Sequence, residues 1–289
     1  MSQLKLRALT PAFGAEVEGF EPSSPLDEEV LAQLRAAFDE RSVLVFRNLD
    51  IEEDMQRSIV YGLIGEEVPV ELAAAEKRPR VVSNKMEHGA APYGRLLFHC
   101  DNMWARRFER ILSLYGVQVE PPSAPTTFVS MGETWDRLPE EFRARLEGLE
   151  ARHGFEHKYP NRGGDQDVID AYYDTSRSTV RPVIVRHPRT GRMLLYVSQQ
   201  ATIEILGLSS EENEALLAEL FSYLYEPSTI LAHEWRTGDL VVWDNITTQH
   251  GRGTVTLDGP ERTLRKVGGP FNLDPDEVNI PVFQKAAGK

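Results

Sequence analysis

The sequence predicts a mainly β protein with peripheral helices, an antiparallel sandwich of jelly-roll type, on three observations. Short runs rich in Val, Ile, Leu and Phe recur along the 289 residues, and Gly, Pro, Asp and Asn punctuate them. The helical patterns are few and fall between these runs. Hydrophobic residues make up 41% of the chain, enough to fill a substantial core. The residues with the clearest chemistry, His99, Asp101 and His250, are distant in sequence and must converge, so a single domain over residues 1–289 is expected.

In chain order, Phe13 to Phe20 alternates like a short strand with glycine punctuation. Leu26 to Arg41 follows as a helix, with Val30, Leu34 and Phe38 spaced i, i+4 and i+8 along one buried stripe. Ser42 to Phe46 has the β-branched and aromatic content of a buried strand. Glu66 to His88 is irregular apart from a strand at Val81-Val82-Ser83, and Lys85 to Gly94 is a loop in which His88 is read as solvated. Arg110 to Val119 is a further buried strand, and Thr134 to Leu149 a helix beginning near Pro139. His153 to Arg181 is the most loop-like stretch, and so long a loop in a compact domain is usually functional. The i, i+4 spacing of His153 and His157 would suit a metal on a helix, but the glycines and proline beside them oppose one. Met193 to Val197 is a strand. Ser209 opens a helix through Tyr223 with Glu212 completing a capping box. Gly238-Asp239 turns the chain into a strand at Leu240 to Trp243.

The chemistry concentrates in Leu96-Leu97-Phe98-His99-Cys100-Asp101-Asn102. In a strand, residues i and i+2 share a face, so His99 and Asp101 can reach one metal ion while Cys100 points away. A third ligand is offered downstream by His250. Two histidines and a carboxylate on one face of an octahedron are the arrangement of non-haem Fe(II) oxygenases. Asp258-Gly259 is a turn signal that brings Arg262 back beside the His250 strand. A guanidinium placed there suits a dicarboxylate, which it can bind through two parallel hydrogen bonds.

The elements Phe98-His99-Cys100-Asp101, Gly238-Asp239-Leu240-Val241-Val242-Trp243-Asp244-Asn245, Thr248-Gln249-His250 and Glu261-Arg262-Thr263-Leu264-Arg265 resemble those of the taurine and 2,4-dichlorophenoxyacetate dioxygenase family. The run Arg181-Pro182-Val183-Ile184-Val185-Arg186-His187-Pro188-Arg189-Thr190-Gly191-Arg192 matches in the same order, and the likeness extends from about Gly14 to Phe271. It implies a double-stranded β-helix and an enzyme that uses Fe(II), 2-oxoglutarate and O2 to oxidise, by default hydroxylate, a small organic substrate with release of succinate and CO2. It assigns His99, Asp101 and His250 to the iron. It gives the far carboxylate of 2-oxoglutarate to Arg262, with Arg265 as fallback, and to Thr127, with Thr126 as fallback. Substrate contacts are expected at Asn102, Trp104 and Lys266, the last standing where taurine dioxygenase has a second arginine. Lysine keeps the charge and loses the planar fork, so a sulfonate is less suited than another small anion such as a carboxylate. Residues 153–181 are expected to form a lid, with Tyr159, Arg162, Tyr172 or Tyr173 facing substrate. A carboxylate at Asp101 argues against halogenation, which needs that coordination position for a halide.

A net charge of −13 disfavours nucleic acid, whose phosphates need clustered Lys and Arg. The single cysteine, Cys100, excludes an internal disulfide framework. No apolar run approaches the ~20 residues of a membrane span, and Met1 to Lys5 does not start a secretion signal. A cytoplasmic enzyme is therefore expected, and a homo-oligomer is compatible with the sequence. The competing readings are a metal-dependent hydrolase or isomerase on the same fold, which would need no keto acid, and a non-catalytic small-molecule-binding descendant.

Overall fold

The structure, a computed structural model, describes residues 4–23, 25–69, 80–86, 89–105, 108–154, 178–271 and 284–285. The larger of its two principal sheets has seven strands. Their order is β1 (Lys5–Ala8), β2 (Ala15–Glu18), β3 (Val43–Phe46), β14 (Leu240–Asp244), β6 (Glu109–Val119), β16 (Arg262–Phe271) and β4 (Arg80–Ser83). The smaller sheet runs β13 (Leu231–His233), β7 (Thr126–Ser130), β15 (Thr248–Val255) and β5 (Gly94–His99). Two three-stranded sheets flank them, β11 (Met193–Leu195), β10 (Ile184–Arg186) and β17 (Gln284–Lys285), and β12 (Thr202–Ile205), β8 (Glu150–Gly154) and β9 (Ser178–Pro182). Between named strands the pairing is antiparallel except for β2 with β3. The helices are α1 (Glu28–Arg41), α2 (Glu53–Gly62), α3 (Met131–Arg137), α4 (Glu140–Leu146) and α5 (Ser210–Leu224).

Period-two alternation sorts the large sheet into two buried faces. Val43, Val45, Leu112, Leu114, Val241 and Trp243 pack toward the small sheet, where they meet Phe128 and Leu231. Leu44, Phe46, Ile111, Tyr115, Leu240 and Val242 point the other way and are covered by Leu34 and Phe38 of α1 and Ile59 and Val60 of α2. Burying side chains such as Leu34 and Phe38 contributes ~1.5–3 kcal/mol each. Asp27 starts α1 by accepting from the amides of Glu29 and Val30. The third cluster joins α3, α4 and α5 to β10 and β11 through Phe142, Leu146, Leu217, Leu220 and Leu224.

Some sequence expectations need correction. The helix expected over 134–149 is two helices, α3 and α4, because Pro139 forces Leu138 out of the helical region, to ψ 138°. The stretch 153–181 is not loop throughout, since β8 and β9 pair from Glu150 with Pro182 to Gly154 with Ser178. Its residues 155–177 lie outside the described residues, and with them His157, Tyr159, Arg162, Tyr172 and Tyr173, as does His88. The strand carrying His99 ends at that residue, and Asp101 opens a turn. Helix α2 and strand β12 were not foreseen.

Helix α5 begins as expected. Ser209 Oγ accepts from the Glu212 amide at 3.3 Å, and the Glu212 carboxylate accepts from the Ser209 amide at 2.9 Å. Ser209→Ala should therefore lower stability by about 1 kcal/mol in urea unfolding. An unchanged midpoint would show that this cap contributes nothing.

Candidate metal centre

Strands β5 and β15 are neighbours, and their register sets His99 directly opposite His250. The two rings lie 4.3 Å apart between centroids. Asp101, just past the end of β5, turns its carboxylate between them, with Oδ1 at 3.2 Å from His99 Nε2 and 3.6 Å from His250 Nε2. Two ligands at right angles on one ion, each ~2.1 Å from it, sit about 3 Å apart. Among the described residues this is the one cluster of three potential metal donors, all within 4.8 Å of one another.

The donor chemistry fits a cation. His99 Nδ1 lies 2.6 Å from the Leu97 carbonyl, which can only accept, so Nδ1 carries a proton and the ring is fixed with Nε2 toward the carboxylate. Burial, aided by His99, pushes His250 down to about 3, so it is neutral at physiological pH. Burial works against ionisation of Asp101, but the Lys266 ammonium, with help from His99, outweighs it and holds the carboxyl well below the usual range. Two imidazole Nε2 atoms and a carboxylate oxygen thus face one another, an arrangement that suits a divalent ion.

Beside this centre is a cavity of ≈ 170 Å³ whose lining includes Leu96, Leu114, Trp243, Thr126, Arg262 and Lys266. Arg262 and Lys266 reach it from one face of β16, while Arg265 points to the other face and donates to Gln56 and to the Ile51 carbonyl. The Arg262 guanidinium donates to the Ala124 carbonyl at 3.2 Å and to Thr126 Oγ1 at 3.2 Å, and it lies over the Trp235 ring. Among the described residues it has no carboxylate partner. Burial and the nearby Arg252 lower it to about 9, which leaves it charged at neutral pH. A buried cation with a hydroxyl beside it can receive a carboxylate. Lys266 is paired with Asp101 Oδ2.

Strand parity puts Thr126, the fallback, rather than the expected Thr127 beside Arg262. Thr126 and Phe128 face the interior. Thr127 lies on the opposite face, with its hydroxyl 3.4 Å from the point where a Cβ on Gly251 would stand. Neither Asn102 nor Trp104 is in the cavity lining: Asn102 donates to Glu109, and Trp104 is buried in the cluster around α3 to α5. His153 lies in strand β8 and bonds Thr202 at 3.1 Å, away from the metal donors.

Three buried residues matter here without having been singled out. Arg252, two positions beyond His250 on the same face of β15, lines the cavity and donates to the carbonyls of Ala91, Tyr93 and Gly94. Period-two spacing from His250 was the signal that could have found it. Asn84 accepts from the Arg262 amide and donates to the carbonyls of Thr256 and Pro260, which pins the turn between β15 and β16. Asn245 holds the backbone of Asp101.

Residues 5–267 match the model of the family described as taurine catabolism dioxygenase TauD, TfdA family. Pentalenolactone F synthase of Streptomyces avermitilis is 29% identical over 92% of this chain and 93% of that protein. The alpha-ketoglutarate-dependent 2,4-dichlorophenoxyacetate dioxygenase of Cupriavidus pinatubonensis is 28% identical over 89% and 94%. Among solved structures, a taurine dioxygenase from Burkholderia xenovorans superposes with a TM-score of 0.73 at 26% identity, covering 94% of this chain and 93% of its own.

The buried histidines make stability depend on pH. Burial takes His153 down to about 3 in the folded protein, whereas in the unfolded chain it protonates near 6.5. Its contribution is intact above pH 6.5 and is lost as pH falls from there toward 3, because only the unfolded state gains the proton. The slope from this one group is about 1.4 kcal/mol per pH unit. Urea unfolding between pH 6 and 5 should show a shallower loss in His153→Gln than in wild type. Identical slopes would mean that the folded protein protonates this ring.

Proposed function

This chain belongs to the taurine catabolism dioxygenase TauD, TfdA family, and from that premise we propose that His99, Asp101 and His250 bind Fe(II) while Arg262 and Thr126 hold 2-oxoglutarate. The activity is that of an Fe(II)- and 2-oxoglutarate-dependent dioxygenase on a small organic substrate. The observation that supports these roles best is the buried Arg262 guanidinium, without a counter-ion among the described residues, in the same cavity as the three donors. Iron bound there supplies the redox chemistry that couples reduction of O2 to decarboxylation of 2-oxoglutarate and oxidation of a substrate C–H bond. The balance is one O2, one 2-oxoglutarate and one R–H consumed, with one succinate, one CO2 and one R–OH formed.

The protein's own groups orient the reactants. His99, Asp101 and His250 would hold the ion, and Arg262 and Thr126 in the same cavity would hold the co-substrate beside it. Thr126 Oγ1 accepts from Trp235 Nε1 at 2.9 Å and from Arg262, which fixes where a carboxylate can meet the guanidinium. Leu96, Leu114 and Trp243 exclude water from the cavity and strengthen that charge pairing. Lys266, on the cavity wall, supports a substrate carrying a small anionic group. We extend the proposal to one catalytic domain over residues 1–289, in the cytoplasm, without nucleic acid as a partner; the net charge of −13 and the single cysteine support it. Among the described residues no helix is long and apolar enough to cross a membrane.

Incubation with Fe(II), O2, 2-oxoglutarate and a panel of small carboxylates should yield substrate-dependent succinate, and Asp101→Ala should yield none. Calorimetric titration of the Mn(II)-loaded protein isolates co-substrate binding from turnover. Arg262→Ala should weaken 2-oxoglutarate by about thirtyfold or more, since breaking a buried charge pair costs ~2–5 kcal/mol. Thr126→Val should weaken it about tenfold, the value of one hydrogen bond to a charged group, and Thr127→Val less than twofold. A Thr127 effect equal to that of Thr126 would contradict the assignment.

A further inference from the structure

We propose that Asn245 is a positioning residue for the metal centre, acting as a side-chain substitute for the strand pairing that Asp101 lacks. This rests on the reading of His99, Asp101 and His250 as metal ligands. Strand β5 stops at His99, so no ladder hydrogen bond fixes the Asp101 peptide, and the next residue, Asn102, is left-handed at φ 57°. In place of a ladder, the Asp101 amide donates to Asn245 Oδ1 at 2.9 Å, and Asn245 Nδ2 donates to the Asp101 carbonyl at 3.0 Å. The carboxamide thus presents one donor and one acceptor to a single residue, as a neighbouring strand's peptide would. Its second N–H donates to the Glu109 carbonyl at 2.8 Å, and the residue is wholly buried.

The base of this clamp is itself fixed. Asn245 follows the last residue of β14, and its amide donates to the Arg110 carbonyl at 3.0 Å. Asp244 Oδ1 accepts from the amides of Ile246 and Thr247, and Asp244 Oδ2 faces His187 Nε2 at 3.1 Å and Arg189 at 2.9 Å. The same turn leads into β15 and so to His250. One short segment therefore sets the position of His250 through the chain and of Asp101 through the Asn245 side chain. The carboxylate and the second histidine are held to a common support.

The chemistry of the clamp is specific to an amide. Asn245→Asp keeps the shape but replaces both N–H donors with an oxygen facing two carbonyls, which pushes the Asp101 peptide away. Asn245→Ala removes all three bonds. Partners that orient a metal ligand typically cost 10–100-fold in metal affinity when lost. A buried asparagine outside the cavity lining provides the control: Asn213 of α5, whose Oδ1 accepts from the Ile205 amide at 2.8 Å.

The test is calorimetric titration of the whole protein with Mn(II) alone. Wild type, Asn245→Asp, Asn245→Ala, Asn213→Ala and His99→Ala would be compared, with the melting temperature of each. Asn245 variants that bind at least tenfold more weakly, while Asn213→Ala of similar melting loss binds within twofold of wild type, would support the role. Folded Asn245 variants with wild-type affinity would overturn it while leaving the metal centre intact. Equal binding by wild type and His99→Ala would remove the metal centre and this inference together. If the Asn245 variants do not fold, amide exchange at Asp101 in the metal-free wild type decides: protection supports the clamp, and exchange at the unprotected rate contradicts it.

Discussion

Three electron-pair donors brought within 4.8 Å of one another in a buried cavity repel unless a cation stands among them, and this constraint organises the molecule. The Lys266 ammonium, paired with Asp101, supplies part of the compensation. His250, kept unprotonated chiefly by burial, adds no positive charge of its own, and the Leu97 carbonyl fixes the orientation of the His99 ring. The backbone pays for the approach with ordered pairing: β15 is flanked by β5 and β7 on its two edges, so the His250 strand cannot slide.

The two principal sheets divide the work. The small sheet carries His99, His250 and Thr126, and the large sheet delivers Arg262 and Lys266 from β16. The apolar layer of Phe128, Leu114, Trp243 and Leu264 between them keeps the charges in a medium where they interact strongly. Trp243 belongs to both roles, since its ring packs on Phe128 at 5.4 Å and on His250 at 4.9 Å. The 2-oxoglutarate carboxylate proposed to sit at Arg262 would satisfy a group the fold has already buried, so that the ordering cost is met during folding rather than on binding.

The main-β class, the capped helix α5 and the convergence of His99, Asp101 and His250 were all legible in the sequence, because each rests on local pattern or on motif order. The strand argument for Asp101 gave the right neighbour for an incomplete reason. Alternation explains His99, but β5 has ended by Asp101, and a side chain 144 residues away holds its peptide. Thr126 rather than Thr127 lines the cavity because parity depends on where a strand starts, which a Pro-rich run at Pro121 to Pro125 does not declare. Trp104 is in the core because the chain turns between Asp101 and Trp104 and carries the indole toward the helices. Arg265 and Arg262 look equivalent in sequence, and only the β16 register separates the cavity face from the α2 face.

The three donors and Arg262 are proposed to form one site for Fe(II) and a keto dicarboxylate. The measurement that tests it most directly is anaerobic titration of the metal-free protein with Fe(II) and then 2-oxoglutarate, followed by visible absorption. The account predicts a weak charge-transfer band that appears only after both additions and is lost in His99→Ala and His250→Ala. Fe(II) binding without that band, or a band that survives both substitutions, would contradict it.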